Sequence, residues 1–223
     1  MAGEAPRRRV IKGLDADQRR ELRRQALLDS ALDLFARQGY AATTIEQLCQ
    51  HAYVATKSFY EVFESREACY HQLLIQVTQR SFAAAFASRE GAEQTEEAIS
   101  RALLSSLAGS FGNDIRTARV TFGEGAATSV AVERIRRENR RTIAAYIESI
   151  WAEFDVPGVL PGLSTGLVGG LLDIIADWSH SQSIDLDPAE SSAQVEALSR
   201  RLTVFYGTLR AGMGVDTPVS TRR

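Results

Sequence analysis

The chain has 223 residues, 44% of them hydrophobic and 24% charged, and a formal net charge of −2 at pH 7. This length allows one small domain and one larger domain with a sizeable core. The slightly acidic balance excludes a protein that binds polyanions over its whole surface, and two cysteines exclude a disulfide framework. Because the sequence shows no secretory signal and no long apolar span, we expect a soluble cytoplasmic protein without a membrane partner.

The N-terminal segment is basic, with eight lysine and arginine residues against four acids in residues 1–24. We predict that residues 1–16 form a disordered arm whose cations contact phosphates or the minor groove of a nucleic acid. The alternative for residues 1–12 is a disordered tail that only increases solubility. The arginines from Arg19 to Arg24, which include Arg23 and Arg24, belong to the first predicted helix and are the better candidates for a phosphate contact.

Apolar residues recur at helical spacing through almost the whole chain, which predicts an all-α fold of about nine helices. The first helix, at about 17–38, ends at Gly39, and its buried face consists of Leu28, Ala31, Leu32 and Phe35. Thr43 and Glu46 then place a hydroxyl and a carboxylate three residues apart before an apolar run. Because such a pair caps free amides at a helix start, a second helix is predicted to begin near Thr44.

The segment Thr43–Glu67 encodes two short helices joined by a tight turn, the pattern of a helix-turn-helix. The second of these helices exposes hydrogen-bond donors and one cation, with no carboxylate before Glu61: Thr56, Lys57, Ser58 and Tyr60. Such groups bind phosphates and base edges in the major groove of DNA. The alternatives are a helical hairpin of an ordinary all-α protein and, for Tyr60, an aromatic ring at the edge of the core.

The segment from Leu27 to Leu74 resembles the DNA-binding region of tetracycline-repressor-type (TetR family) transcriptional regulators. The resemblance rests on ALDLFARQGYAATTIEQLCQHAYVATKSFYEVFESRE, in which the family's motifs stand in the family's order and spacing. Tyr53 replaces the usual glycine of the turn, and Ala55 replaces the usual serine or threonine cap. A tyrosine with positive φ is strained, so either the turn is remodelled or Tyr53 has an ordinary backbone. Thr56 can cap instead if the third helix begins one residue later.

The pattern and the resemblance together predict a set of DNA-binding residues: Thr43, Thr44, Thr56, Lys57, Ser58, Tyr60, Arg66, Arg23 and Arg24. Arg66, at the start of the fourth helix, has the alternative of a merely solvated cation. We assign residues 17–65 to a three-helix helix-turn-helix DNA-binding domain and 66–213 to a helical effector-binding and dimerisation domain. Residues 214–223 are expected to form a flexible tail.

The remaining helices are predicted at about 66–88, 93–111, 114–125, 130–154, 160–181 and 188–213. The helix at 66–88 is the expected lever between the domains. The helix at 130–154 carries an arginine run, Arg134, Arg136, Arg137, Arg140 and Arg141, beside an apolar stripe. We interpret this run as a solvated face paired with Glu133 and Glu138, and the alternative is a nucleic-acid patch.

The last two helices carry apolar stripes that predict a homodimer. The stripes consist of Leu167, Leu171 and Ile174 on one helix and Leu198, Leu202, Phe205 and Leu209 on the other. Gly166, Gly169 and Gly170 are expected where two helix backbones approach closely. The resemblance implies an isologous four-helix contact between two copies, and the alternative is that the stripes only close the monomer core.

The resemblance also implies an effector pocket within the larger domain. Its candidate apolar and aromatic residues are Leu104, Leu107, Phe111, Phe122, Tyr146, Trp151 and Trp178, and its candidate orienting acids are Glu124, Asp173 and Asp177. The alternative for each of these residues is core packing. The sequence carries no match that names the ligand.

Cys49 and Cys69 are predicted to be small buried apolar residues, and the alternative is a thiol switch. His51, His71 and His180 show no metal-ligand spacing with them, so we predict no metal and no cofactor. The sequence also shows no Gly-rich phosphate loop and no nucleophile elbow, which argues against an enzyme.

We therefore predict a dimeric, ligand-responsive repressor that binds a pseudo-palindromic DNA operator and is released by a small, largely apolar effector. The alternative is an architectural DNA-binding protein without an effector and without a sizeable cavity.

Overall fold

The computed structural model describes residues 15–123, 130–185 and 188–213. Within these ranges the chain forms nine α-helices and no strands. The helices are α1 (Ala16–Ala42), α2 (Ile45–His51), α3 (Thr56–Tyr60), α4 (Arg66–Ala87), α5 (Glu96–Gly112), α6 (Ile115–Phe122), α7 (Val130–Glu153), α8 (Leu163–Ser181) and α9 (Pro188–Gly212). The predicted all-α fold is confirmed. None of the described helices combines the length and hydropathy that a bilayer crossing requires.

The described chain divides into two compact units, and the boundary lies inside α4, between Leu74 and Ile75. The N-terminal unit therefore includes the first turns of α4. Its α1 starts at an Asp15 cap and is interrupted at Gly39, where φ is +83°. Four side chains from its four helices are fully buried: Leu27, Leu48, Phe59 and Leu74. Burial of apolar surface from every helix holds this small unit together.

The second unit packs α5 against α9, α7 against α8, and α8 against α6 and α9. Its core takes in residues predicted for a dimer interface, since Leu167, Leu171, Leu198 and Leu202 are at most 2% exposed in the single chain. The assignment of these four leucines to an intersubunit surface is therefore wrong. They belong to the core of one chain, because each of these helices buries more than one face.

The glycines of α8 differ in their surroundings. A Cβ built on Gly170 would lie 2.5 Å from Cζ of Phe205, so only glycine lets this ring of α9 approach the α8 backbone. Beside Gly166 and Gly169 no atom of the described chain lies within 4 Å of such a Cβ. The close approach at Gly170 is therefore that of a side chain of the same chain, and not the expected approach of a second helix backbone.

A buried polar network ties α5, α7 and α9. The Tyr206 hydroxyl accepts a hydrogen bond from Trp151 Nε1 at 2.8 Å and donates to Glu96. Ser100 Oγ lies 3.0 Å from the same hydroxyl, and Arg210 Nε lies 3.4 Å from the other oxygen of the Glu96 carboxylate. Burial and the hydrogen bond to Glu96 raise the pKa of Tyr206 to about 12. Trp151 is therefore a core residue that satisfies its indole N–H inside the protein.

Candidate functional site

The start of α2 shows how the chain presents its helix-turn-helix. Thr44 Oγ accepts from the Gln47 amide at 3.2 Å, and Gln47 Oε1 accepts from the Thr44 amide at 2.8 Å. This capping box begins one residue later than the predicted pair of Thr43 and Glu46. Thr43 is instead fully buried, and its hydroxyl donates to the Gly39 carbonyl at 2.8 Å. The prediction that the Thr43 side chain contacts DNA is therefore wrong, whereas Thr44 is exposed.

The turn between α2 and α3 keeps a tight geometry despite its sequence. The Val54 amide donates to the Cys49 carbonyl at 2.9 Å. Tyr53 has a φ of +53°, in the left-handed region, so it adopts the strained alternative of the two considered above. Ala55 occupies the N-cap position of α3, and no side chain forms a capping hydrogen bond there. The expectation that Thr56 serves as the cap is wrong, because α3 begins at Thr56 itself.

The outer face of α3 carries the predicted reading residues. Thr56, Lys57 and Tyr60 are exposed, and Ser58 is half-buried. The opposite face is anchored by Phe59 and, just beyond the helix, by Phe63, both buried. Tyr60 rests its ring edge-on against Phe59, with centroids 5.5 Å apart, yet 59% of the residue stays exposed. Buried phenylalanines therefore hold a rigid five-residue helix whose donors face outward, while contact with DNA stays a prediction for these residues.

The predicted arginine contacts are engaged inside the N-terminal unit. Arg66 donates to the Thr43 carbonyl, and its guanidinium carbon lies 4.3 Å from the centroid of the Tyr40 ring. Arg66 thus stabilises the packing of α4 onto the α1–α2 connection, so it is more than a solvated cation. Its contact with DNA stays a prediction.

Arg23 and Arg24 remain about one-third exposed. Arg23 pairs with Glu61 at 3.6 Å, and Arg24 lies 5.7 Å from the centroid of the Phe63 ring. Their DNA contacts stay predictions. The rest of the predicted basic arm, residues 1–14, lies outside the described residues.

The two cysteines lie in this unit as free, buried thiols. Burial raises the pKa of Cys69 to about 12 and also raises that of Cys49. Since the thiolate is the reactive form, both side chains are poor redox switches and behave as the small apolar residues that were predicted. Across the described ranges no group of three His, Cys, Asp or Glu side chains is placed to hold a metal ion.

A cavity of about 200 Å³ opens within the second unit. Its apolar wall consists of Phe82, Leu107, Phe111, Phe122, Ile143, Leu172 and Ala176, and its polar lining of Thr78, Thr121, Glu133, Arg136, Asn139, Arg140 and Asp173. Phe111 and Phe122 meet at a centroid distance of 5.3 Å. The cavity brings together four residues that the sequence predicted as pocket lining: Leu107, Phe111, Phe122 and Asp173.

The other predicted pocket residues lie elsewhere. Leu104, Trp151 and Trp178 are buried in the core, and Trp178 packs beside Gly112. The Tyr146 ring packs against Phe86 in a tilted arrangement, with centroids 4.4 Å apart. Asp177 is exposed and faces Arg201 at 3.7 Å. These five residues do not line the cavity, and Glu124 lies outside the described residues.

Sequence reasoning missed the polar wall that α7 contributes. Arg136, Asn139 and Arg140 were assigned to a solvated face or passed over, yet they line the cavity. Arg140 pairs with Glu133 at 3.1 Å, and Arg136 donates to the Thr121 carbonyl. A signal was present: positions 136, 139 and 140 continue, at spacings of three and four, the stripe on which the buried Ile143 lies. Polar residues in the line of a buried stripe indicate a lined cavity rather than a water-facing surface.

Two kinds of comparison place these features among known proteins. A family model described as bacterial regulatory proteins of the tetR family matches residues 27–73, the segment that contains α2 and α3. No curated protein matches the sequence.

Solved structures share the fold over most of the chain. A putative TetR-family regulator from Syntrophomonas wolfei is 17% identical, with a TM-score of 0.69 over 88% of this chain and 99% of that one. A transcriptional regulator from Rhodococcus sp. Rha1 is 18% identical, with a TM-score of 0.65 over 87% and 99%. The fatty acid degradation regulator FadR from Bacillus halodurans is 16% identical, with a TM-score of 0.67 over 81% and 94%. At these identities the likeness establishes the fold.

Proposed function

We propose that the chain is a tetR-family regulator, on the match of the family model to residues 27–73, and that it is a ligand-responsive repressor that binds a pseudo-palindromic operator as a homodimer. The observation that carries DNA recognition is the outer face of α3, where Thr56, Lys57 and Tyr60 are exposed over buried phenylalanines. A helix held in this way presents donors and one cation to the major groove. As a regulator of bacterial transcription it acts on DNA in the cytoplasm, and we assign it no catalytic role.

The test is selection of duplexes from a random pool by the purified chain, followed by titrations of the selected duplex across salt concentrations. We expect a sequence with two related half-sites spaced by about one helical turn, roughly 34 Å. Lys57→Ala should weaken binding and lower the slope of log K against log salt by about one unit, since one phosphate contact is lost. Glu64→Ala, which alters an exposed residue just after α3, is the matched control. Unchanged binding by Lys57→Ala contradicts the assignment of this face.

We propose that dimerisation uses the exposed faces of α8 and α9. Val204 is 67% exposed on α9, and Ile174, Phe205 and Leu209 are only partly buried. The open space beside Gly166 and Gly169 lets a second backbone approach α8. One reading helix covers only a few base pairs, so a two-fold pair of copies supplies the length that a specific operator requires.

The cavity of the second unit supports the effector part of the proposal. Its volume of about 200 Å³ exceeds the roughly 150 Å³ that accommodates benzene in an engineered protein cavity. Among the basic residues of the lining, Arg140 already pairs with Glu133 and Arg136 already bonds a carbonyl, so an anionic ligand would have to displace existing partners. The side-chain amide of Asn139 has no hydrogen-bond partner among the described residues and is free to orient a ligand. We propose an effector of about one substituted ring, largely apolar, that binds the Asn139 amide.

The alternative is a DNA-binding architectural protein without an effector. Such a protein would use the same α3 surface, but no ligand would bind in the cavity. Thermal unfolding distinguishes this alternative from the repressor. Single-ring compounds should raise the unfolding temperature of the repressor. They should also weaken its binding to DNA by the same factor by which DNA weakens the binding of the compound. A panel of such compounds that leaves both measurements unchanged favours the architectural protein.

A further inference from the structure

Tyr53 combines a strained backbone with a side chain that contributes nothing visible to the fold. Its φ of +53° lies in the region where an L-residue with a Cβ is disfavoured and where glycine is at ease. The residue is 98% exposed. Its hydroxyl forms no hydrogen bond with any residue that the structure describes, so no hydrogen bond of the side chain inside the described chain offsets the strain.

The position of Tyr53 is next to the reading helix. Thr56, the first residue of α3, follows it three positions later in the chain, so their Cα atoms lie within about 11 Å of each other. The backbone around Tyr53 is fixed, because its amide donates to the Gln50 carbonyl at 3.3 Å and the Val54 amide donates to the Cys49 carbonyl at 2.9 Å. The turn therefore fixes the point on the surface from which the Tyr53 side chain leaves the backbone.

A neutral aromatic hydroxyl beside a helix that enters the major groove meets the sugar–phosphate backbone that flanks the groove. Tyrosine hydroxyls are among the groups that donate to phosphate oxygens, and such contacts set the register of a protein on its duplex. We propose that Tyr53 is a positioning residue that donates its phenolic hydrogen bond to a DNA phosphate beside α3. This inference rests on the proposed DNA binding, and it adds a contact that lies outside α3.

The first test compares Tyr53→Phe with the unaltered chain, using the duplex that the chain selects from a random pool and a scrambled duplex of equal length. Tyr53→Phe keeps the ring and removes only the donor. We expect about tenfold weaker binding to both duplexes, the loss of one hydrogen bond to a charged acceptor. Because tyrosine is uncharged, the salt slope should stay unchanged, whereas Lys57→Ala lowers it by about one unit. Wild-type affinity in Tyr53→Phe, or a loss confined to the selected duplex, overturns the phosphate contact.

The second test asks whether the strain serves the fold. Tyr53→Gly removes the Cβ that disfavours the left-handed conformation, so its unfolding temperature should equal or exceed that of the unaltered chain while DNA affinity falls at least as far as in Tyr53→Phe. Tyr53→Asn is the control, since asparagine tolerates this conformation and adds less conformational entropy to the unfolded chain than glycine does. An unfolding temperature lowered by several degrees in both variants would show that the tyrosine supports the fold, and would overturn the inference.

The two proposals fail in different ways. Duplex binding that Lys57→Ala weakens and Tyr53→Phe does not weaken leaves α3 as the reading helix and removes Tyr53 alone. A chain that binds neither duplex removes DNA recognition and the Tyr53 contact together.

Discussion

Removing the Tyr206 hydroxyl should destabilise the second unit far more than removing an exposed one. In Tyr206→Phe the ring stays, but the Trp151 N–H loses its acceptor at 2.8 Å and Glu96 loses its phenol donor. A buried donor left without a partner costs about 1–3 kcal/mol, and a hydrogen bond to a charged group contributes about 1.5–3 kcal/mol. Glu96 keeps its contact with Arg210, so we expect a total loss of about 2–4 kcal/mol in the free energy of unfolding.

The assay is urea unfolding followed by tryptophan fluorescence, which reports on Trp151 and Trp178, both buried in the second unit. Tyr60→Phe is the matched control, because its hydroxyl is exposed and its loss should change the free energy of unfolding by less than about 0.5 kcal/mol. The double variant Trp151→Phe with Tyr206→Phe should lose less than the sum of the single losses by about 1 kcal/mol, since both ends of one hydrogen bond are removed together. Equal stabilities of Tyr206→Phe and Tyr60→Phe would refute the network as a stabilising feature.

Three further outcomes follow from the same structure. The raised pKa of Tyr206 favours the neutral phenol in the folded chain, so its contribution to stability should be complete below pH 10 and lost as the pH rises toward 12; alkaline unfolding of Tyr206→Phe, which lacks this dependence, checks the sign. Val204→Glu should give a folded monomer by light scattering, whereas Leu202→Glu, which buries a charge in the core, should unfold the chain; a stable Val204→Glu dimer would place the interface elsewhere. Leu172→Trp should fill the cavity and abolish the thermal shift caused by single-ring compounds without weakening DNA binding, while Asn139→Leu should reduce their affinity; a full response in Leu172→Trp would mean that they bind at another site.

Local sequence patterns were sufficient for the existence of the helices, for the bounds of three of them and for the exposed face of α3. Helix starts and ends depend on caps and turns within a few residues, and the predicted bounds of α4, α7 and α9 differ from the observed ones by no more than one residue. The exposed donors of α3 follow from the same kind of information, because Phe59 fixes which face of a short helix is buried. The local pattern could not decide whether Thr43 or Thr44 caps α2, because that choice depends on the kink at Gly39. The Gly39 carbonyl accepts a hydrogen bond from the Thr43 hydroxyl, which is therefore buried.

Which apolar or charged face meets which neighbour was decided only by the tertiary structure. A stripe such as Leu198 and Leu202 has the same spacing whether it packs on its own chain or on a second copy, and only the assembled unit shows that α5 and α8 cover it. The same holds for Arg136 and Arg140, whose charge reads as a solvated face until α6 and α8 close a cavity around them. Periodicity shows which side of a helix is apolar, whereas burial depends on partners far away in the sequence. The cavity wall, the Tyr206 network and the core of the second unit could therefore be seen only in the tertiary structure.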